Sequence, residues 1–190
     1  MMKQIQIACR YTVITAIGLG IIYPVCITAV SQLFFRDKAN GQLISVNGEI
    51  AGSKIIGQPF SGAGYFHSRP SAAGSGYDAT SSSGSNLAPT SKALVDRIGS
   101  SVAAENGAGP VPVDLVTASA SGLDPDISPA AALYQVDRVA RDRHLATEQV
   151  RDLVMQHIEP RQFGLLGEPT VNVLELNLAL MAEASGRGAQ

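Results

Sequence analysis

The chain has 190 residues, 45% of them hydrophobic, with 14 Lys and Arg against 16 Asp and Glu. That length holds one ordinary domain plus a short appendage, and a net charge of −2 offers no electrostatic footprint for nucleic acid or for a polybasic membrane surface. The only cysteines are Cys9 and Cys26, so the rest of the chain carries neither a disulfide nor a thiolate metal site.

Residues 11–35 contain no charged side chain and are mostly Ile, Val, Ala, Leu, Phe and Gly. As a helix they would extend roughly 37 Å, enough to cross a hydrocarbon core of about 30 Å with some tilt. A cleaved signal peptide is the main rival, since Lys3 and Arg10 supply a basic start. The apolar run is too long for it, and Leu33-Phe34-Phe35 offers no small-residue cleavage site. Tyr23-Pro24-Val25 before Cys26 is a poor lipoprotein signal. The expected organisation is therefore a tail over 1–10, an uncleaved transmembrane helix over 11–35, a soluble domain over 36–184 and a frayed tail over 185–190. Lys3 and Arg10 before the span nearly balance Arg36 and Lys38 after it. The positive-inside rule is close to a tie, and a short tail inside with the long domain outside is the commoner solution.

Within the span, Thr12, Ala16 and Gly20 recur at four-residue spacing and predict a small-residue face against which another transmembrane helix packs. Pro24 removes one backbone hydrogen bond and predicts a kink.

After the span, Asn47-Gly48 between Leu43-Ile44-Ser45-Val46 and Glu49-Ile50 predicts a β-hairpin, because both turn residues tolerate positive φ. Ile55-Ile56 is a candidate further strand. Residues 61–86 are half Gly and Ser, a linker composition. Tyr65, Phe66, Tyr77 and Leu87 run through that region, however, and a pure linker needs no aromatics; a structured, loop-rich region is at least as good a reading. Thr90 or Ser91 then caps a helix reaching about Asn106, with Leu94, Ile98 and Val102 on one side and Gly107 and Gly109 as its stop. Pro110-Val111-Pro112-Val113 and Leu115-Val116 read as an extended edge strand or loop.

The last third has the clearest periodicity. Ser128-Pro129 is an N-cap followed by proline at the first helical position. Ala132, Val136, Val139 and Ala140 form an apolar stripe opposite Asp137, Arg138, Arg141 and Asp142. Thr147 is the expected cap of a second helix burying Val150, Leu153, Val154 and His157. Asn172 with Glu175 resembles a capping box that opens a third helix through Met181. The fold class is α+β: one transmembrane helix and one mixed soluble domain with a hairpin, a loop-rich Gly/Ser region and a C-terminal helical part.

The sequence offers little recognisable chemistry. The sequence contains no Gly-x-Ser-x-Gly or Ser-x-x-Lys nucleophile motif. It also lacks a phosphate loop and a dinucleotide glycine fingerprint. His67, His144 and His157 are scattered without metal spacing, and His144 falls at a helix C-terminus where its charge would complement the dipole. Asp124-Pro125-Asp126 hints at calcium, but the sixth position of an EF-hand loop would be Pro129 where glycine is needed. Asp114 stands alone, and Glu168 before Pro169 reads as a loop contact. No catalytic residue and no metal ligand emerge.

Several ordered motifs carry a resemblance. Gly52-Ser53-Lys54-Ile55-Ile56-Gly57-Gln58-Pro59-Phe60, Tyr65-Phe66 and Arg69-Pro70-Ser71-Ala72-Ala73 open it. Ser83-Gly84-Ser85-Asn86-Leu87, Ser121-Gly122-Leu123-Asp124-Pro125-Asp126 and Gln135-Val136-Asp137-Arg138 continue it, and Gly167-Glu168-Pro169-Thr170-Val171-Asn172 with Asn177-Leu178 closes it. Together they resemble the KdpC family, the C subunit of the potassium-transporting Kdp P-type ATPase, over nearly the whole chain. Ala88 and Ala120 stand where the family pattern leads us to expect glycine.

The resemblance implies a non-catalytic accessory subunit of an ATP-driven potassium uptake complex in the bacterial inner membrane. Its partners would be a KdpA-like channel subunit and a KdpB-like ATPase subunit. The implied roles are assembly and a catalytic-chaperone effect that raises the pump's ATP affinity. No cofactor is intrinsic to the chain, and ATP would matter only in the complex. Gln135 and Arg138 share the family pattern Gln-x-x-Arg and are the implied nucleotide candidates, although a solvated helix surface accounts for them better. The residues alone also leave open a membrane-anchored hydrolase or a tethered extracytoplasmic solute-binding module.

Overall fold

The computed structural model describes residues 1–105 and 109–187 and divides the chain into two compact units, Met1–Ile44 and Ser45–Gln190. The first unit is dominated by a 33-residue helical run, Met2–Phe34, none of whose most apolar window is buried. It comprises α1 (Met2–Ile17), a π-helical segment (Gly18–Ile22) and α2 (Tyr23–Phe34). Residues 2–10, expected as a tail, are thus part of the same helix. At 1.5 Å per residue the run is about 50 Å long, more than a hydrocarbon core requires. Pro24 has no N–H to give the carbonyl four residues back. The ladder slips just upstream of it, and the Tyr23 N–H bonds the Gly18 carbonyl instead. A short α3 (Arg36–Ala39) follows.

Asn47 and Gly48, at φ 54° and 85°, make the turn between β1 (Leu43–Val46) and β2 (Glu49–Ser53). The Asn-Gly signal located it correctly, because two consecutive positive φ values are cheapest for that pair.

In the second unit, Ile55-Ile56 is a turn rather than a strand. Helix α4 (Lys92–Ala104) has Ser91 at its N-cap without a side-chain cap bond, and none of its residues is buried. The expected stop at Gly107 lies outside the described residues. The proline-rich apolar segment forms no strand: it is loop over residues 110–112 and a 3₁₀ turn over Val113–Leu115, and it buries Leu115 and Val116.

The core sits between α5 (Pro129–Arg143), α6 (Thr147–Gln156) and α7 (Val173–Arg187). Ser128 caps α5, its hydroxyl accepting from the Ala131 N–H, and Pro129 occupies the first turn. Ala132, Val136, Val139 and Ala140 are buried as the stripe requires. The α6 N-cap is Ala146, not Thr147, and no side chain caps it. His157 is the C-cap residue, only partly buried, with Nδ1 2.8 Å from the Leu153 carbonyl. His144 ends α5 in the left-handed conformation.

One element is unannounced by sequence periodicity. A three-stranded antiparallel sheet of β3 (Asp126–Ile127), β4 (Ile158–Glu159) and β5 (Thr170–Asn172) has the order β3-β5-β4. Asp126 pairs with Asn172, and Ile158 with Val171. Strand β5 runs directly into α7. Asn172 Oδ1 accepts from the Glu175 N–H at 3.2 Å. The Glu175 carboxylate does not close the capping box; it pairs with Lys54 at 3.0 Å. Helix α7 continues to Arg187, beyond the expected end at Met181 and the fraying expected after Ala184.

Candidate functional site

The Gly/Ser-rich region is a folded loop, held to the helices by side chains that bond its backbone. Asn177 of α7 is fully buried; its Oδ1 accepts from the Phe66 N–H and its Nδ2 donates to the Phe66 carbonyl, both at 2.9 Å. Gln135 of α5 does the same to the next residue. Its Oε1 accepts from the His67 N–H at 2.7 Å, and its Nε2 donates to the His67 carbonyl at 3.1 Å and to the Ala131 carbonyl at 3.2 Å. Two amide side chains thus replace a neighbouring strand. They seat the Phe66 ring in the core without leaving its backbone polar groups unpaired.

Arg138 completes the arrangement. Its guanidinium donates to the carbonyls of Ala63 (2.6 Å) and Tyr65 (2.9 Å) and to Gln135 Oε1 (2.6 Å). Burial pulls its pKa below the usual value, yet a guanidinium stays charged at any physiological pH. Arg143 donates to the Gly64 carbonyl at 2.7 Å and lies 4.4 Å from the centre of the Tyr65 ring. Gln135, read from sequence as a helix-surface residue, is only 2% exposed, and Arg138 is partly buried. The reason is the loop that covers this side of α5. Both nucleotide candidates are therefore engaged in internal hydrogen bonds. His67 Nε2 lies 2.9 Å from the Gly62 carbonyl, which can only accept, so the neutral ring carries its proton there. Burial lowers the His67 pKa from its ordinary value of 6.5.

A second set of bonds ties residues 69–84 to residues 117–124. Arg69 reaches the Thr117 hydroxyl and the Asp124 carboxylate, both at 3.3 Å. The Ser71 hydroxyl donates to the Gly122 carbonyl (2.6 Å), and the Ser83 N–H donates to the Ser121 carbonyl (2.9 Å). Gly122, at φ 67°, passes so close that an added Cβ would lie 2.5 Å from the Ser83 carbonyl oxygen and 2.6 Å from the Ala73 nitrogen. Only glycine fits this crossing.

A shallow cavity of about 320 Å³ gathers Arg69, Asp114, Asp124, Asp126 and Glu168. Each carboxylate already has a partner. Asp114 accepts from the Ser128 N–H, Asp124 from Arg69 and the Asp126 N–H, Asp126 from Asn172 Nδ2, and Glu168 from Arg161. Asp114, isolated in sequence, thus braces the residue that caps α5. Burial raises the Asp126 pKa. Lys54, held by Glu159 at 2.9 Å and by Glu175, has its pKa raised, with the Glu159 hydrogen bond the largest cause.

Thr12, Ala16 and Gly20 all lie on the exposed surface of the N-terminal helix. Gly20 falls inside the π segment, and nothing stands within 4 Å of where its Cβ would be.

The sequence pattern of the family described as "KdpC: K+-transporting ATPase, c chain" matches residues 5–182. The chain belongs to the KdpC family. Among its relatives, the "Potassium-transporting ATPase KdpC subunit" of Koribacter versatilis is 57% identical over 183 residues, covering 95% of each chain. That of Acidobacterium capsulatum is 60% identical over 180 residues, covering 94% of this chain and 98% of the relative. That of Rhodopseudomonas palustris is 49% identical over 197 residues, covering 96% and 99%. The KdpC match spans the exposed apolar helix and the folded unit together, and the chain is a KdpC subunit of a potassium-transporting ATPase. The motifs that carried the resemblance in sequence are largely those that meet here: Tyr65-Phe66, Arg69 to Ala73, Ser121 to Asp126, Gln135 to Arg138, and Asn177. The clamp that Gln135 and Asn177 close on the backbone of residues 66 and 67 had no counterpart in the sequence reading. The available signal was a pair of amide residues, Gln135 and Asn177, on otherwise apolar helix faces, where a polar group needs a partner.

Proposed function

We propose that the chain is a non-catalytic accessory subunit that joins a KdpA-like channel subunit and a KdpB-like ATPase subunit in ATP-driven potassium uptake. In this reading it stabilises their assembly. The observation that carries it is a 33-residue apolar helix with no buried face, attached to a unit in which Gln135 and Arg138 are engaged by the loop beside them. The helix crosses the bacterial inner membrane once, with its N-terminus in the cytoplasm and the domain outside. Thr12, Ala16 and Gly20 form the face against which a partner helix packs, since small side chains let two backbones approach in lipid.

An effect on the ATP affinity of the pump is then indirect. A domain on the far side of the membrane acts on a cytoplasmic nucleotide site only through a coupling free energy. Gln135 and Arg138 are placed to hold the loop over residues 63–67, and releasing them for a ligand would leave buried backbone groups unpaired.

The test is purification of the complex from membranes. Gly20→Leu and Ala16→Leu should each lower co-purification of the partner subunits and growth on limiting potassium, because a bulky side chain separates the helices. Wild-type yields for both variants would remove the packing face from the proposal. A photoreactive ATP analogue applied to the intact complex should label the ATPase subunit; labelling of this chain around Gln135 would restore direct nucleotide contact.

A further inference from the structure

The N-terminal helix carries a backbone acceptor that its own ladder does not use. In an α-helix the Leu19 carbonyl accepts from the Tyr23 N–H, and in the π register of Gly18–Ile22 it accepts from residue 24. The Tyr23 N–H goes to the Gly18 carbonyl instead, and residue 24 is a proline with no N–H to give. Leu19 therefore has neither donor. The same proline deprives the Gly20 carbonyl of its α-helical donor. Gly20 has no side chain to cover the notch, and nothing stands within 4 Å of where its Cβ would be.

In water such a carbonyl is simply hydrated. Leu19, however, lies inside the uncharged run 11–35, about 12 Å from its start and about 24 Å from its end at 1.5 Å per residue. For a membrane-spanning helix this is hydrocarbon depth. An unpaired backbone group is strongly unfavourable there, and lipid tails have no donor to offer.

The nearer sources of a donor do not meet the need. A hydroxyl on the same helix reaches back three or four residues, which for Leu19 means positions 22 and 23. These are Ile22 and Tyr23, and the Tyr23 hydroxyl stands at the far end of its ring. The Thr15 hydroxyl is turned to the Tyr11 and Thr12 carbonyls, at 2.8 and 3.1 Å, and Thr28 is spaced to serve Pro24 or Val25. A trapped water needs two or more polar partners, and Ile21, Ile22 and Val25 around the notch offer none. A second copy of this chain crosses the membrane in the same direction and so sets equal depths side by side. Residues 16–22 contain no side-chain donor.

We infer that the Leu19 carbonyl accepts a hydrogen bond from a hydroxyl- or amide-bearing side chain on a transmembrane helix of another subunit, which enters the gap left by Gly20. This rests on the accessory-subunit reading above and names the chemistry of the partner at that face. The bond is directional, so it fixes the rotation and depth of the helix where apolar packing alone tolerates slippage.

The experiment follows that one carbonyl in the full chain. Leucine carrying ¹³C at its carbonyl and glycine carrying ¹⁵N together mark only Leu-Gly bonds, and the sequence has Leu19-Gly20 and Leu166-Gly167. The second is an internal standard, because the Leu166 carbonyl already accepts from the Gln162 N–H at 2.9 Å. Gly20→Ala deletes the Leu19 pair and so assigns its signal. Between the chain alone in micelles and the purified complex, the Leu19 carbonyl resonance should move downfield, as on gaining a hydrogen bond, while Leu166 stays in place. Pro24→Ala returns an N–H to the ladder and should weaken retention in the complex about three- to twenty-fold, the range for one interhelical hydrogen bond in lipid.

A Leu19 resonance that does not move on assembly overturns the inference. So does one already downfield in the chain alone, which assigns the donor to water, to the same helix or to a second copy. Loss of the shift in Tyr23→Phe assigns it to this chain's own phenol and overturns it too, as does wild-type retention of Pro24→Ala. If the unmodified chain co-purifies with no other subunit, the accessory-subunit reading itself falls, a result distinct from a complex that forms with Leu19 unmoved.

Discussion

The helical third and the Gly/Ser loop belong to one compact unit but are held by different physics. Helices α5, α6 and α7 bury Val136, Val139, Val150, Val154, Leu176 and Leu180 against one another. Their stability comes from apolar area removed from water, which is non-directional and spread over many contacts. The loop over residues 60–86 contributes little beyond Phe66 and Ala73 to the buried apolar set. It keeps its shape through Asn177, Gln135, Arg138, Arg143, Arg69 and Ser71, each bonding a specific backbone group. Directional bonds of this kind specify one conformation, and each is individually hard to replace, because losing one partner leaves a buried group unsatisfied.

The comparison is sharpest in its response to substitution. Leu176→Ala should have the largest effect, about 2–5 kcal/mol, because it opens a cavity where the side chain is fully buried. It should lower the unfolding temperature of the whole unit in a single transition. If chemical denaturation instead showed the loop melting first with the helices intact, the assignment of global stability to this core would fail.

Asn177→Ala should come next, at about 2–4 kcal/mol, since it strands both the N–H and the carbonyl of Phe66. The signature distinguishes it from the core variant. Hydrogen exchange should accelerate over residues 62–77 while α5 and α6 keep their protection. Gln135→Ala should act on the same loop through His67, and the double variant should cost less than the two singles combined, because a loop released by one clamp gives the other nothing to hold. Strict additivity would show that the two amides act independently.

The smallest effect concerns pH. Burial depresses the His67 pKa below 6.5, so the folded unit binds fewer protons there than the unfolded chain. Stability from this residue is complete above about pH 6.5 and is lost as pH falls through the depressed folded-state value. The loop should therefore exchange faster in mild acid, and His67→Gln should flatten that dependence. A pH profile identical to wild type would assign the acid sensitivity to other groups.

Legibility followed the same division. Elements with a periodic or terminal signature were readable: the apolar span, the Asn47-Gly48 turn, the Ser128-Pro129 cap and the stripe of α5. The Gly/Ser region was readable only to the extent that Tyr65, Phe66 and Tyr77 argued against a linker. Strands β3, β4 and β5 have two or three residues each, too few for a period of two to show. Of the edge strand or loop read for residues 110–116, the loop holds over 110–112, where Pro112 is extended at ψ 142°, and the turn begins only after the last proline, at Val113. Gln135 and Arg138 were visible as a pattern, but what they touch lies about seventy positions earlier in the chain.

By itself the sequence determined that one long apolar helix precedes a mixed α+β unit, and its ordered motifs placed it in its family. Both follow from local quantities, namely hydropathy, cap chemistry and residue order. Only the tertiary structure decided that Gln135 and Asn177 act as surrogate strand partners for residues 66 and 67. It alone also showed that Asp114 braces Ser128. Such roles depend on which distant backbone groups would otherwise be buried without a hydrogen bond, and that is set by packing between segments far apart in the chain.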